Sequence, residues 1–486
     1  MNIMPLPVLL ALLLGLLLPA APAQESGSAL WLPSLYGDGM VLQREAPLRF
    51  HGKAAPGAEV RLDLAFGELR RSGRATAGED GVWSLALEAL PASGPGTVTV
   101  ASGSDSRTLT DVWIGEVWIC SGQSNMEWSM RHGIQDTAGF RAGADQPDLR
   151  LFQVPKASTA EPQEDCRASW SACTPETVFG FSAVAYFFGR ELLPQVDCKI
   201  GLIESAWGGS AAEAWTAPED LAADPDLAPL LENVEKAPPN HKASHLMNGM
   251  LAPLFGFGIR GVIWYQGESN AGRAWQYRKL FPTMIRSWRR KFDQGDFPFL
   301  WVQLASFKAW KPEPGDSDWA ELREAQSLAL ELPNTGQAVI IDLGEARDIH
   351  PRNKHEVGRR LALIARRVAY GQEVVDGGPI LREWEVRSDG SVRLAFDRVA
   401  GGLLELGGGA LRGFTVAGED QVFHHARASI QGRDTVILEC PEEPAPVAVR
   451  YGWADNPGCN LGNQEGLPAS PFRTDRWPGV TDGRVR

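Results

Sequence analysis

One stretch constrains this chain more than any other: Val117-Trp118-Ile119-Cys120-Ser121-Gly122-Gln123-Ser124-Asn125-Met126-Glu127-Trp128. The apolar run from Val117 to Cys120 is the length of one buried strand and stops abruptly at small and polar side chains. Such a strand belongs to an open α/β sheet, where ligands bind beyond the carboxyl ends of the strands and a helix starting there aims unpaired N–H groups at the bound group. Ser124 would be carried out at that end, placed to attack a carbonyl carbon while its own N–H helps hold the oxyanion. Ser121 and Ser124 would serve equally well as helix caps, so the other segments must decide.

The surroundings of this stretch divide the chain. At 486 residues it exceeds one ordinary core. Residues 1–23 carry no side-chain charge, run through Val8 to Leu18 almost without a break, and end in Ala21-Pro22-Ala23. This is the pattern of a signal peptide cut before Gln24, with an uncleaved anchor as the alternative because no Lys or Arg precedes the apolar run. After its removal no stable membrane insertion is expected, since no other segment approaches the roughly 18 apolar residues a spanning helix needs. An exported protein, periplasmic or secreted, follows.

Residues 24–110 alternate apolar and polar side chains between turns, as at Val60, Leu62 and Leu64 or Trp83, Leu85 and Leu87, and read as a small β-sandwich. Residues 111–372 change to buried strands alternating with helices. The expected strands are Val117 to Cys120, Ile200 to Ile203, Gly261 to Tyr265, Phe299 to Gln303 and Ala338 to Asp342, with a helix from His355 to Val368. Residues 373–486 return to alternation, with strands over Val392 to Phe396, Thr435 to Cys440 and Val447 to Tyr451. A net charge of −13 with no basic face argues against nucleic acid as a partner. Six cysteines in an exported chain permit disulfides, with Cys440–Cys459 and Cys166–Cys173 as local pairs and Cys120 as a buried thiol. Their spacing suggests no metal site, and no cofactor is implied.

Three further segments follow expected strands. Glu204-Ser205-Ala206-Trp207-Gly208-Gly209-Ser210 offers paired glycines whose N–H groups can turn inward as oxyanion donors. In Trp264-Tyr265-Gln266-Gly267-Glu268-Ser269-Asn270 the Gln266 amide is a donor and Glu268 an orienting group. Asp342 to Asn353 contains Asp348 and His350, a carboxylate two positions before an imidazole, from which a serine hydrolase could draw its base and the acid that orients it. Six other histidines (His51, His132, His241, His245, His424, His425) read as surface or structural, and His355 as an exposed helix residue.

Gly122-Gln123-Ser124-Asn125-Met126, Trp264 to Asn270 and Asp348-Ile349-His350-Pro351, in this order, resemble the sialate O-acetylesterase family within the SGNH (GDSL-like) serine hydrolases. The likeness extends to Met40 to Arg44, Asn248-Gly249-Met250 and Arg450 to Pro457. It implies a flavodoxin-like three-layer αβα catalytic domain flanked by β-sandwich domains, with Ser124 as nucleophile, His350 as base and Asp348 as orienting acid. It also implies an oxyanion hole of the Ser124 N–H, an N–H near Gly208 or Gly209, and Gln266 where the wider superfamily has an Asn side chain. The superfamily places two residues between acid and base; here only Ile349 intervenes, which leaves Asp342, Glu268 or a Ser124–His350 dyad as alternatives.

The substrate so implied is an acetylated carbohydrate, most readily a sialate ester. Asn125, Glu268 and Asn248 are candidate substrate contacts by motif, Trp128 and Trp207 by stacking on a sugar ring, and Arg273 and Arg323 by pairing with a sialate carboxylate. An acetylxylan or other polysaccharide acetylesterase with the same triad, and a non-catalytic carbohydrate-binding protein, are the competing expectations.

Overall fold

The computed structural model describes Met1 and residues 30–485; apart from Met1, the expected signal peptide lies outside the described residues. Everything is arranged about the 18-residue strand Asp105–Gly122. Its first part pairs antiparallel with Ser93–Ser102, while its second part runs parallel between Ile200–Ala206 and Gly261–Tyr265. One strand is thus shared by two regions, and the boundary expected at residue 110 falls inside it. The left-handed Asp111, at φ 52°, sits in the register break between Leu109 and Val112 of the antiparallel part.

The parallel sheet runs in the order Thr335–Ala338, Phe299–Val302, Gly261–Tyr265, Asp105–Gly122, Ile200–Ala206 and Gln146–Gln153, with Trp170–Cys173 antiparallel at its edge. Alternation along its strands explains the layers. Val117, Ile119, Val262, Trp264, Phe299 and Trp301 face one core, shared with the helices Ala274–Phe292 and Asp318–Leu328. Trp118, Cys120, Ile263 and Leu300 face the other, shared with Ala183–Val196 and Lys354–Val368. The result is a mixed α/β centre with added β-sheets. Two four-stranded sheets from residues 380–473 share a separate core around Leu394, Phe414 and Tyr451.

Three expectations are corrected. The strand placed at Ala338–Asp342 lies at Thr335–Ala338: its ladder ends where Val302, opposite Ala338, ends the neighbouring strand, and Ile340 and Ile341 are buried without one. The strand Gln146–Gln153 was not anticipated, because Asp148 and Arg150 interrupt its apolar run; Arg150 is buried against the Asp111 carboxylate. All six cysteines are unpaired. The Cys173 thiol donates to the Ala144 carbonyl and the Cys440 thiol to that of His425, while the Cys166 sulfur lies against the Ser34 hydroxyl, so neither expected bridge forms.

Gly122 closes the central strand in a conformation only glycine accepts. Its φ is 139°, and a Cβ there would stand 2.1 Å from the Tyr265 carbonyl oxygen. Gly122→Ala is therefore expected to cost about 3 kcal/mol or more, since strain and backbone collision add. A thermal midpoint equal to that of the unaltered chain would show that the turn relaxes freely.

Candidate active site

Register brings the motifs together. Gly122 stands opposite Ala206 on one side and Tyr265 on the other, so the segments that follow all three strands emerge side by side at the carboxyl edge. Gln123 caps a single helical turn, Ser124–Glu127, and fastens it by donating its own N–H to the Tyr265 carbonyl.

The Ser124 hydroxyl oxygen lies 2.9 Å from Nε2 of His350. On the other side of the ring, Nδ1 is 3.3 Å from Oδ1 of Asp348, and the same oxygen accepts the His350 backbone N–H at 2.9 Å. The single intervening residue thus suffices, because the carboxylate folds back over its own turn. Of the other carboxylates weighed for this role, Asp342 is gripped by both terminal nitrogens of Arg360 at 2.6 and 2.7 Å, and Glu268 is bound to Asn125. Trp128 stacks on the imidazole, with centroids 4.3 Å apart and planes 21° apart. Its indole donates to Gly133, which fixes the ring that supports the base.

Behind this trio lies a buried lysine that sequence reasoning missed. Lys354, wholly buried, donates to Asn125 Oδ1 at 2.5 Å; the other end of the same amide donates to Glu268 at 2.6 Å and to the Ile349 carbonyl at 3.0 Å. Asn125 thereby ties the nucleophile turn to the His350 loop. Burial drives the Lys354 ammonium down to about 7, with Glu268, Asp348 and Glu345 holding it up against that trend. Burial also raises the Glu268 carboxyl, whose Oε2 has no side-chain partner among the described residues. One signal was available in the sequence: Lys354 begins a helix, where a cation opposes the macrodipole and calls for a compensating partner.

The His350 imidazole is held below the usual histidine value, first by burial, then by the Lys354 cation, with His132 adding to the effect and Asp348 opposing it. An imidazole takes a proton only when neutral, so this depression leaves the His350 ring able to accept one to lower pH. Removing the cation in Lys354→Met should let the imidazole titrate higher and move the acid limb of kcat/KM to higher pH. An unmoved limb would show that Lys354 exerts no field on the base.

Around the serine, Gly208 is close enough that a Cβ on it would meet the Ser124 side chain at 3.4 Å. Its N–H, however, is taken by Glu127 Oε2 at 2.6 Å, and Glu127 is held in turn by Lys156. The N–H groups of Ser124 and Gly209 have no acceptor among the described residues. The Gly209 carbonyl is fixed by the His241 ring at 2.7 Å and by the Ser269 hydroxyl, so His241 supports this loop directly.

Other expected contacts are differently employed. The structure does not bring the Gln266 amide to the nucleophile: fully buried, it donates to Ser210 O and Asn270 Oδ1 and accepts from Tyr277. Arg323 is fully buried and spends its guanidinium on the carbonyls of Leu304, Ala305, Ala454 and Asp455. Arg273 is paired with Glu213 and Gln276. Asn248 clamps the carbonyls of Thr159 and Ala160. None of these four is free to grip a sugar carboxylate or acetyl group. Trp207 is half-buried beside the Lys156 ammonium, next to Gly208, and His355 pairs with Glu191 at 3.1 Å. Among the described residues no cluster of three His, Cys, Asp or Glu side chains could hold a metal ion, and no helix is long and apolar enough to cross a membrane.

The family described as carbohydrate esterase, sialic acid-specific acetylesterase, matches residues 114–366, which contain all three motifs. Sialate O-acetylesterase of Homo sapiens is 33% identical over 400 residues, covering 74% of this chain and 76% of that protein. The Mus musculus protein of the same name is 31% identical over 453 residues, covering 79% and 82%. Among solved structures, a carbohydrate acetylesterase from Xanthomonas citri is 43% identical with a TM-score of 0.84, over 92% of this chain and 100% of its own.

Proposed function

Since the chain belongs to the sialic acid-specific acetylesterase family of carbohydrate esterases, and is accordingly an esterase, we propose that it removes acetyl groups from sugar hydroxyls, most readily those of a sialate, through a Ser124–His350–Asp348 acyl-enzyme mechanism. The observation that carries this reading is the 2.9 Å contact between the Ser124 hydroxyl and His350 Nε2, with Asp348 on the far side of the ring.

The Asp348 contact selects the tautomer with its proton on Nδ1, leaving Nε2 to accept the Ser124 proton. Ser124 Oγ bonds to the acetyl carbon, and the oxyanion forms against the N–H groups of Ser124 and Gly209. Gly208 joins them only if Glu127 yields its N–H. His350 returns the proton to the departing sugar oxygen, and the C–O bond to the sugar breaks. Water, deprotonated by His350, then attacks the acetyl-enzyme and releases acetate, restoring the Ser124 hydroxyl.

Export belongs to the same proposal and rests on the apolar segment of residues 1–23 ending in Ala21-Pro22-Ala23. Acetate release from a panel of acetylated sialic acid, xylan and pectin fragments tests the substrate class. Preference for the sialate supports this reading; preference for xylan would transfer the same mechanism to a plant polysaccharide. No release from any sugar would overturn it.

A further inference from the structure

The motif from Arg450 to Pro457 takes no part in the chemistry described so far. It builds one wall of an open groove of about 320 Å³ between the loop after Phe299–Val302 and the C-terminal sheets. The Asp455 carbonyl accepts the Phe307 N–H, its carboxylate pairs with Lys308 at 3.0 Å, and the Asn456 amide donates to the Lys308 carbonyl. The His425 ring reaches the Pro312 carbonyl at 2.7 Å. A surface loop is thereby bolted to the sheets at both ends, which pre-forms the groove.

What the bolting holds in place is an indole. Among the described residues Trp310, at 59%, is the most exposed large apolar side chain after Met1, and its indole N–H has no hydrogen-bond partner among them. Gly458 stands beside it, where a Cβ would come within 3.3 Å of its Nε1. Facing the same groove, Trp453 is steadied from behind by the guanidinium groups of Arg450 and Arg473, 5.1 and 5.0 Å from its ring. Lys311 and Arg412 line the groove with no ion pair among the described residues, against a single Glu313. On a chain of net charge −13 this is a local excess of cation.

A stacking face combined with free N–H donors suits a pyranose, which presents a C–H face and a rim of hydroxyls. The groove is also coupled to the catalytic loop. Phe307, three residues before Trp310, pairs with Glu345, and Glu345 pairs with Asp348. We propose that the groove of Trp310, Trp453 and Arg412 is a distal subsite that binds the glycan chain extending from the acetylated sugar, with the cationic rim favouring a glycan that carries a carboxylate.

The proposal rests on the carbohydrate esterase reading, and its test separates the two. Binding of sialyllactose and of xylohexaose, neither acetylated, is measured on the full chain carrying Ser124→Ala, through quenching of tryptophan fluorescence and by calorimetry. Adding Trp310→Ala should weaken binding about tenfold, as loss of one stacked ring implies, and Arg412→Ala should weaken sialyllactose more than xylohexaose. In otherwise unaltered enzyme, Trp310→Ala should raise KM about tenfold for acetylated oligosaccharides and leave p-nitrophenyl acetate turnover unchanged. Because Trp310 is a surface residue, folding is not at stake. Affinity for both glycans unaffected by Trp310→Ala, no binding of either, or an equal loss on p-nitrophenyl acetate and oligosaccharides would each overturn the proposal, whatever acetate release shows.

Discussion

Ser124→Ala is expected to lower kcat for acetate release by about a millionfold while leaving the fold intact, because among the described residues no other hydroxyl is hydrogen-bonded to the His350 ring. Among the described residues the Ser124 side chain makes no hydrogen bond beyond that contact, and the turn it begins is fastened instead by the Gln123 N–H and by Asn125. The thermal midpoint should therefore stay near that of the unaltered chain. Substrate affinity should also survive, since the hydroxyl is needed for bond formation and not for holding the sugar. A variant that kept a tenth of its turnover would mean that another group attacks the ester.

His350→Gln should be nearly as costly, for a different reason. The glutamine keeps a polar group near the ring position but cannot take a proton from Ser124, so the nucleophile remains a weakly acidic alcohol. Residues that act as a unit lose their value together, and the double variant with Ser124→Ala should be no slower than either single one. Additive losses would indicate two independent contributions. In the proposed mechanism Asp348 is a lesser case, since there it orients the imidazole without accepting its proton.

The reach of sequence reasoning can be judged from particular residues. That Ser124, Asp348 and His350 would meet at one edge of the sheet was legible because each follows or precedes a recognisable element boundary. Gly261–Tyr265 was read to the residue since a parallel strand buried on both faces is an unbroken apolar run. Gln146–Gln153 was hidden because Arg150 is buried by pairing with Asp111, a partner 39 positions away. Gln266 was misjudged for a related reason: a strand-end amide can face the ligand or the interior, and only the positions of Ser210, Asn270 and Tyr277 decide which. Arg323 was offered as a carboxylate reader, yet four backbone carbonyls from two distant segments had already claimed it. Charge patterns state what a residue can do; the fold states what remains unspent.

Lys354 and Glu268 illustrate how the site is held. Two buried ionisable groups meet at opposite ends of one amide, Asn125, and that amide also binds the backbone beside the base. Burying such groups is expensive unless each is satisfied, and Asn125 supplies a partner to both. The cost is placed where it fixes the distance between Ser124 and His350.

Labelling with a fluorophosphonate probe examines the central claim most directly, because only an alcohol activated by a neighbouring base reacts with it. One label per chain, recovered on the peptide containing Ser124 and absent from both Ser124→Ala and His350→Gln, is the predicted result. Label on another residue, or undiminished label in Ser124→Ala, would contradict the assignment of Ser124 and His350 as nucleophile and base.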